Sequence, residues 1–160
     1  MSTLYTTLIT VEQLEALQAS GAPLMVFDCS FELMNPAAGE DQYRQAHIPG
    51  AVYAHLDHHL SDKLSPDASG HWQPHPDAAS GGRHPLPSRE RFAAWLSSVG
   101  FANTMQAVVY DRQGANYCGR LWWFWSDKLA WGSSGNRLNV KMTRGAKQKG
   151  NAVCDNTAGS

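Results

Sequence analysis

Residues 106–125 read QAVVYDRQGANYCGRLWWFW, and this stretch decides the fold. Ala107, Val108, Val109 and Tyr110 form a short, unbroken apolar run, the pattern of a strand buried on both faces. Asp111–Asn116 supplies a turn, with Gly114 free to take a positive φ. Beyond it Tyr117, Leu121, Phe124 and Trp125 recur at helical spacing. Strand, loop and helix in that order make half of a βαβ unit. Such sheets collect ligands at the carboxyl ends of their strands, and the residue standing there is Asp111.

Working outward, the upstream chain repeats the theme. Leu8 and Ile9 read as a short first strand, and Thr10 with Gln13 forms a capping box for a helix. Val11, Leu14 and Leu17 give that helix an inward face, and Gly21 ends it. Leu24–Phe27 is a second strand, ending in Asp28-Cys29, followed by loop over 35–41 and a single helical turn over 42–46. Pro49-Gly50 turns the chain into a third strand over Ala51–Ala54, which runs on to His55-Leu56-Asp57. Residues 60–87 are rich in Ser, Pro, Asp, Gly and His and lack periodicity, so they read as a long loop, functional or mobile. Ser88 caps a helix with Phe92, Trp95, Leu96 and Val99 on one face and Gly100 at its end. This order predicts an α/β domain with a mostly parallel sheet of four to five strands flanked by helices.

Composition narrows the class. The 160 residues suffice for one domain with a sizeable core, and 42% hydrophobic content with six tryptophans argues against wholesale disorder. No apolar run has the length of a membrane span, and no basic-then-apolar signal pattern opens the chain. Three cysteines at unrelated spacings (Cys29, Cys118, Cys154) do not form a disulfide framework, so the expected compartment is the reducing cytoplasm. The net charge of −1 conceals an asymmetry: residues 1–126 carry −5 and residues 127–160 carry +4. Hydrophobic periodicity stops at the same place. The basic tail lacks interleaved aromatics or a nucleic-acid motif, so a solvated extension is the better reading than a nucleic-acid contact.

Five motifs, in this order, carry a family likeness: Asp28-Cys29, His47-Ile48-Pro49-Gly50-Ala51, Arg83-His84-Pro85-Leu86-Pro87, Val109-Tyr110-Asp111 and Arg120-Leu121-Trp122-Trp123. Together they resemble the N-terminal rhodanese domain of the two-domain thiosulfate and 3-mercaptopyruvate sulfurtransferases, from about Thr7 to Trp125. The resemblance implies a rhodanese fold and a persulfide mechanism, in which a cysteine thiolate takes sulfur from a small donor and passes it to cyanide or another thiol. In that family the cysteine opens the loop after the fourth strand of the C-terminal domain, where backbone N–H groups stabilise the anion. The matching position here is Asp111, and a carboxylate cannot carry sulfane sulfur. The resemblance therefore implies a non-catalytic half whose partner is a catalytic rhodanese domain, missing or separately encoded, and whose small substrate is the sulfur donor. No cofactor is implied.

In the mercaptopyruvate branch, an Asp and a His of the N-terminal half orient a serine of the catalytic domain. The motif matches carry those auxiliary roles to Asp57 and His84, a carboxylate fixing an imidazole that handles a proton. The residues alone equally allow His84 to pack in a surface loop and Asp57 to cap a turn. After the Trp pair the chain departs from the family. Residues 1–126 are expected to form the rhodanese-like domain, incomplete at its C-terminal end. Residues 127–160 are expected to be a largely irregular tail from a truncated or out-of-frame coding sequence, leaving the slot beside the fourth strand without a long buried strand. Within that tail only Leu138, Val140 and Met142 alternate as a strand does.

Other candidates weigh less. Cys118 stands near a helix start and close to Arg120, two features that lower a thiol pKa, but it lies well past the loop position the chemistry uses. A buried, inert thiol is the commoner state. His55, His58 and His59 with Asp57, or His71 with His75, have ligand-like spacing, yet no Cys pair or helical His pair supports a metal. Trp122, Trp123 and Trp125 sit at packing spacing. Two classes stay open: the N-terminal half of a sulfurtransferase, inactive alone, or a stand-alone non-catalytic rhodanese module that binds a partner or regulates.

Overall fold

A computed structural model describes residues 8–63, 69, 75–128 and 140–143. In chain order the elements are α1 (Val11–Ala19), β1 (Leu24–Asp28), α2 (Ala38–Gln45), β2 (Ala51–Tyr53), α3 (Arg89–Ser98), β3 (Gln106–Tyr110), α4 (Cys118–Lys128) and β4 (Val140–Thr143). The strands make one parallel sheet in the order β2-β1-β3-β4. β1 and β3 lie side by side from Leu24↔Gln106 to Asp28↔Tyr110, so their carboxyl ends finish level.

Every residue of β3 is buried, as its unbroken apolar run requires. Its side chains alternate between two cores. Ala107 and Val109 join Phe27, Phe92, Leu96 and Leu121 on the side of α3 and α4, while Val108 and Tyr110 join Val26, Leu14 and Leu17 on the side of α1. Burying each valine of this pair contributes roughly 1.5–3 kcal/mol, so the strand anchors both layers.

The helix ends follow their capping residues. Thr10 Oγ1 accepts the Gln13 N–H at 3.2 Å and Gln13 Oε1 accepts the Thr10 N–H at 3.0 Å. Ser88 Oγ accepts the Arg91 N–H at 3.3 Å. Gly21 and Gly100, just past α1 and α3, hold φ of +68° and +81°.

Three expectations need correction. Leu8 makes an isolated bridge rather than a strand. Ile9 serves the core instead, buried in the same cluster as Leu14, the pairing of a hydrophobic staple across the Thr10 cap. Val11, expected on the inward face of α1, is 42% exposed because it opens the helix, one turn short of the buried face that Leu14 begins. α2 spans eight residues rather than one turn. No side-chain cap announces its start, and Gly39, a poor helix former, sits inside it because a Cβ there would collide with the Ser30 carbonyl and the Tyr53 hydroxyl. Beside β3 runs Val140–Thr143, paired from Ala107↔Val140 to Tyr110↔Thr143; it contains Val140 and Met142 of the alternating segment and, at four residues, is not a long strand. A parallel edge leaves its N–H and C=O groups unpaired, which is the physical reason a short alternating segment is drawn in. Leu138, Cys154 and most of the tail lie outside the described residues.

Candidate functional site

Asp111 stands at the carboxyl end of β3, 2% exposed. The following loop turns back over it through Gly114 and Ala115, both at φ +73°. For Ala115 that conformation is strained, and the strain is held by a bond: its N–H donates to Asp111 Oδ1 at 2.8 Å. The Gln113 N–H donates to the same oxygen at 3.0 Å. Oδ2 accepts the Tyr117 N–H at 2.8 Å and the Cys118 N–H at 2.9 Å, where α4 begins. The loop is thus an anion cradle of backbone N–H groups at a helix N-terminus, and its occupant is the protein's own carboxylate.

Cys118 contributes its N–H, not its thiol, to this arrangement. The side chain is fully buried, and burial together with the Asp111 charge pushes the thiol far up, away from the thiolate. The neighbouring Arg120 does not offset this. Its guanidinium is committed elsewhere, Nε to the Leu60 carbonyl at 2.8 Å and Nη2 to the His84 carbonyl at 2.6 Å. Cys29, beyond the end of β1, is equally buried, and burial, then the charges of Cys118, Asp28 and Asp111, raise it as well.

The second constellation lies on the loop after β2 and on the segment before α3. His84 Nδ1 and Asp57 Oδ1 are 2.9 Å apart, with side chains 18% and 15% exposed. Lys63 Nζ contacts the same Asp57 oxygen. Burial alone would raise Asp57, but the Lys63 bond and charge, with His84 and His55, outweigh it and hold the carboxyl below its ordinary value. His84 is shifted down, by burial first and then by Lys63, with Asp57 opposing. The bond to Asp57 assigns the proton to Nδ1 in the neutral ring. Nε2 is then a bare acceptor, buried and, among the described residues, without a hydrogen-bond partner. Phe31 meets the ring edge-on at 6.4 Å and 84°.

Two of the histidines weighed as ligands, His55 and His59, are engaged in backbone hydrogen bonds. His55 Nδ1 accepts the Asp57 N–H at 3.1 Å, and His59 Nδ1 accepts the His55 N–H at 3.0 Å. His59 stacks on Trp95 at 4.9 Å. Among the described residues no three His, Cys, Asp or Glu side chains are placed to share a metal ion, and His71 lies outside those residues. Trp122 packs against the core and Trp123 is 42% exposed. Among the described residues no helix is long and apolar enough to cross a membrane. Sequence reasoning missed Lys63 as a site residue, and it read Arg120 as part of a family motif and as a neighbour of Cys118, not as a contact of His84. The one available signal was the short step from Asp57 to Lys63, which leads into the long loop over 60–87.

A parallel sheet flanked by helices on both faces, with an anion-binding loop after the strand beside its first, defines a rhodanese-like domain. No family model matches the chain. A Pseudomonas aeruginosa protein named "Probable 3-mercaptopyruvate sulfurtransferase" is 34% identical over 116 residues, covering 72% of this chain and 36% of the relative. Thiosulfate/3-mercaptopyruvate sulfurtransferase 2 of Arabidopsis thaliana is 30% identical over 150 residues, covering 84% and 38%. The solved 3-mercaptopyruvate sulfurtransferase from Leishmania major superposes with a TM-score of 0.61 at 25% identity, over 85% of this chain and 32% of that one. The chain's homologues are thiosulfate and 3-mercaptopyruvate sulfurtransferases, and it matches a rhodanese-like part of them. It spans little more than a third of the length of these curated relatives.

Proposed function

We propose that this domain is the non-catalytic half of a sulfurtransferase active site, completed by a catalytic rhodanese domain that carries the persulfide cysteine. The observation that carries the reading is the Asp111 carboxylate, which fills the loop cradle with four N–H bonds and leaves no thiol there. In the assembled enzyme the partner's cysteine thiolate attacks the outer sulfur of thiosulfate or the sulfur of 3-mercaptopyruvate. A persulfide forms, and sulfite or pyruvate leaves. Cyanide or a second thiol then takes the outer sulfur and restores the thiolate.

Asp57 and His84 act as auxiliaries at the domain boundary. Asp57 holds Nδ1–H, so Nε2 accepts the proton of a hydroxyl brought by the partner domain. The unmet acceptor supports this role, since a buried unpaired nitrogen costs roughly 1–3 kcal/mol unless a donor reaches it.

The test supplies a catalytic rhodanese domain in trans and follows thiocyanate formation. This chain alone stays at background and raises the partner's turnover on mixing, and Asp57→Asn or His84→Gln removes the gain. Equal turnover with and without this chain sinks the reading and favours a stand-alone binding or regulatory module.

A further inference from the structure

Asp57 Oδ1 serves two donors, the His84 ring at 2.9 Å and the Lys63 ammonium. The Lys63 side chain is only 6% exposed, which is rare for lysine. Taking an ammonium that far out of water is costly unless a partner compensates it. Here the compensating group is the carboxylate that also holds the histidine. The geometry closes from the other side as well. Arg120, on α4, donates to the His84 carbonyl at 2.6 Å and so anchors the backbone from which the imidazole reaches the shared oxygen. His55 lies in the same turn as Asp57, and its Nδ1 accepts the Asp57 N–H at 3.1 Å. Among the described residues the charged and titratable groups acting on the pair are Lys63, His55 and Arg120, with Tyr53 feeling the Asp57 charge.

We propose that Lys63 is a positioning residue for the Asp57–His84 pair, pinning Asp57 Oδ1 where it receives Nδ1–H and keeping the imidazole neutral with Nε2 as its acceptor. The inference rests on the reading of that pair as a proton handler. Two effects of one charge produce it. The ammonium stabilises the Asp57 anion, so the carboxylate stays an acceptor. It also repels a proton on His84, countering the attraction of Asp57. An imidazole facing a bare carboxylate is drawn toward the charged form, which has no lone pair to offer a hydroxyl. With Lys63 in place the carboxylate orients the ring without charging it.

The test needs no activity. The His84 ring is followed by NMR pH titration in the full 160-residue chain and in Lys63→Met, Lys63→Gln and Lys63→Arg. Lys63→Met and Lys63→Gln are expected to shift the His84 midpoint upward, and Lys63→Arg to keep it near its original position. Lys63→Gln retains a donor for Asp57, so it carries the test if Lys63→Met does not fold. A midpoint that does not rise in Met or Gln, or that rises as much in Arg, overturns the proposal and leaves Lys63 a structural residue. Because the readout is a titration, it is independent of the transfer assay. A midpoint that shifts as expected in a chain that never aids sulfur transfer would sink the proposed function and leave this inference standing.

Discussion

Asp111→Asn removes a charge and one acceptor while preserving shape. Whichever oxygen becomes the amide, two of the four backbone N–H groups then face an NH2 group instead of an acceptor. Each buried donor left unsatisfied costs roughly 1–3 kcal/mol, so the substitution should destabilise the domain by about 2–6 kcal/mol. Domains of this kind are stable by about 5–15 kcal/mol, so a large share of the total is at stake. Urea unfolding followed by tryptophan fluorescence reads the loss as a lower midpoint at unchanged slope. Asp111→Ala adds a second test, because it leaves the cradle vacant at the size of one carboxylate. Formate should restabilise that variant, by about 1.4 kcal/mol at tenfold above its dissociation constant, and leave the parent protein unchanged. A cost below about 1 kcal/mol for Asn, with no formate effect on Ala, would refute the cradle argument.

Three further outcomes follow from other parts of the fold. Burial, then repulsion from His55 and His58, lowers His59 from 6.5 to about 4, so the unfolded chain binds more protons in that window. Stability should therefore fall as pH drops from 6.5 to about 4, and His59→Gln should flatten the slope measured by urea unfolding. Gly39→Ala gains about 1 kcal/mol of helix propensity but forces a Cβ into the Ser30 carbonyl and the Tyr53 hydroxyl, overpacking that costs about 1–3 kcal/mol, so a lower melting temperature is expected and a higher one would exclude the collision. Cys29 and Cys118, fully buried with raised pKa values, should react with a thiol reagent only as fast as the chain unfolds, and labelling of either in the native protein would contradict their placement.

What could be read from the sequence was what local chemistry dictates. The Thr10–Gln13 box, the Ser88 cap, Gly100 and the β3 run each announce their own conformation within a few residues. Asp111 was legible as the occupant of the strand end because strand and turn are contiguous. Its four N–H partners were not, since they depend on the positive φ of Ala115, which no propensity favours. α2 was hidden by the uncapped Ala37 and by Gly39, whose reason for being there is a contact with β1's successor Ser30 and with Tyr53. The Asp57–His84 pair is 27 residues apart in sequence and came from the family resemblance rather than from spacing. Lys63 and Arg120 joined it only in three dimensions. The β4 pairing is a tertiary event: Val140–Thr143 alternates weakly, and the open edge of β3 decides its partner.

Asp111 fills the cradle with a carboxylate, and on the proposed reading no thiol of this chain takes up sulfur. Intact-mass analysis of the chain after incubation with thiosulfate or 3-mercaptopyruvate, with no acceptor added, tests it most directly. An unchanged mass is expected. A gain of one sulfur atom, removed by cyanide and lost in Cys118→Ser, would place the nucleophile on this chain and contradict it.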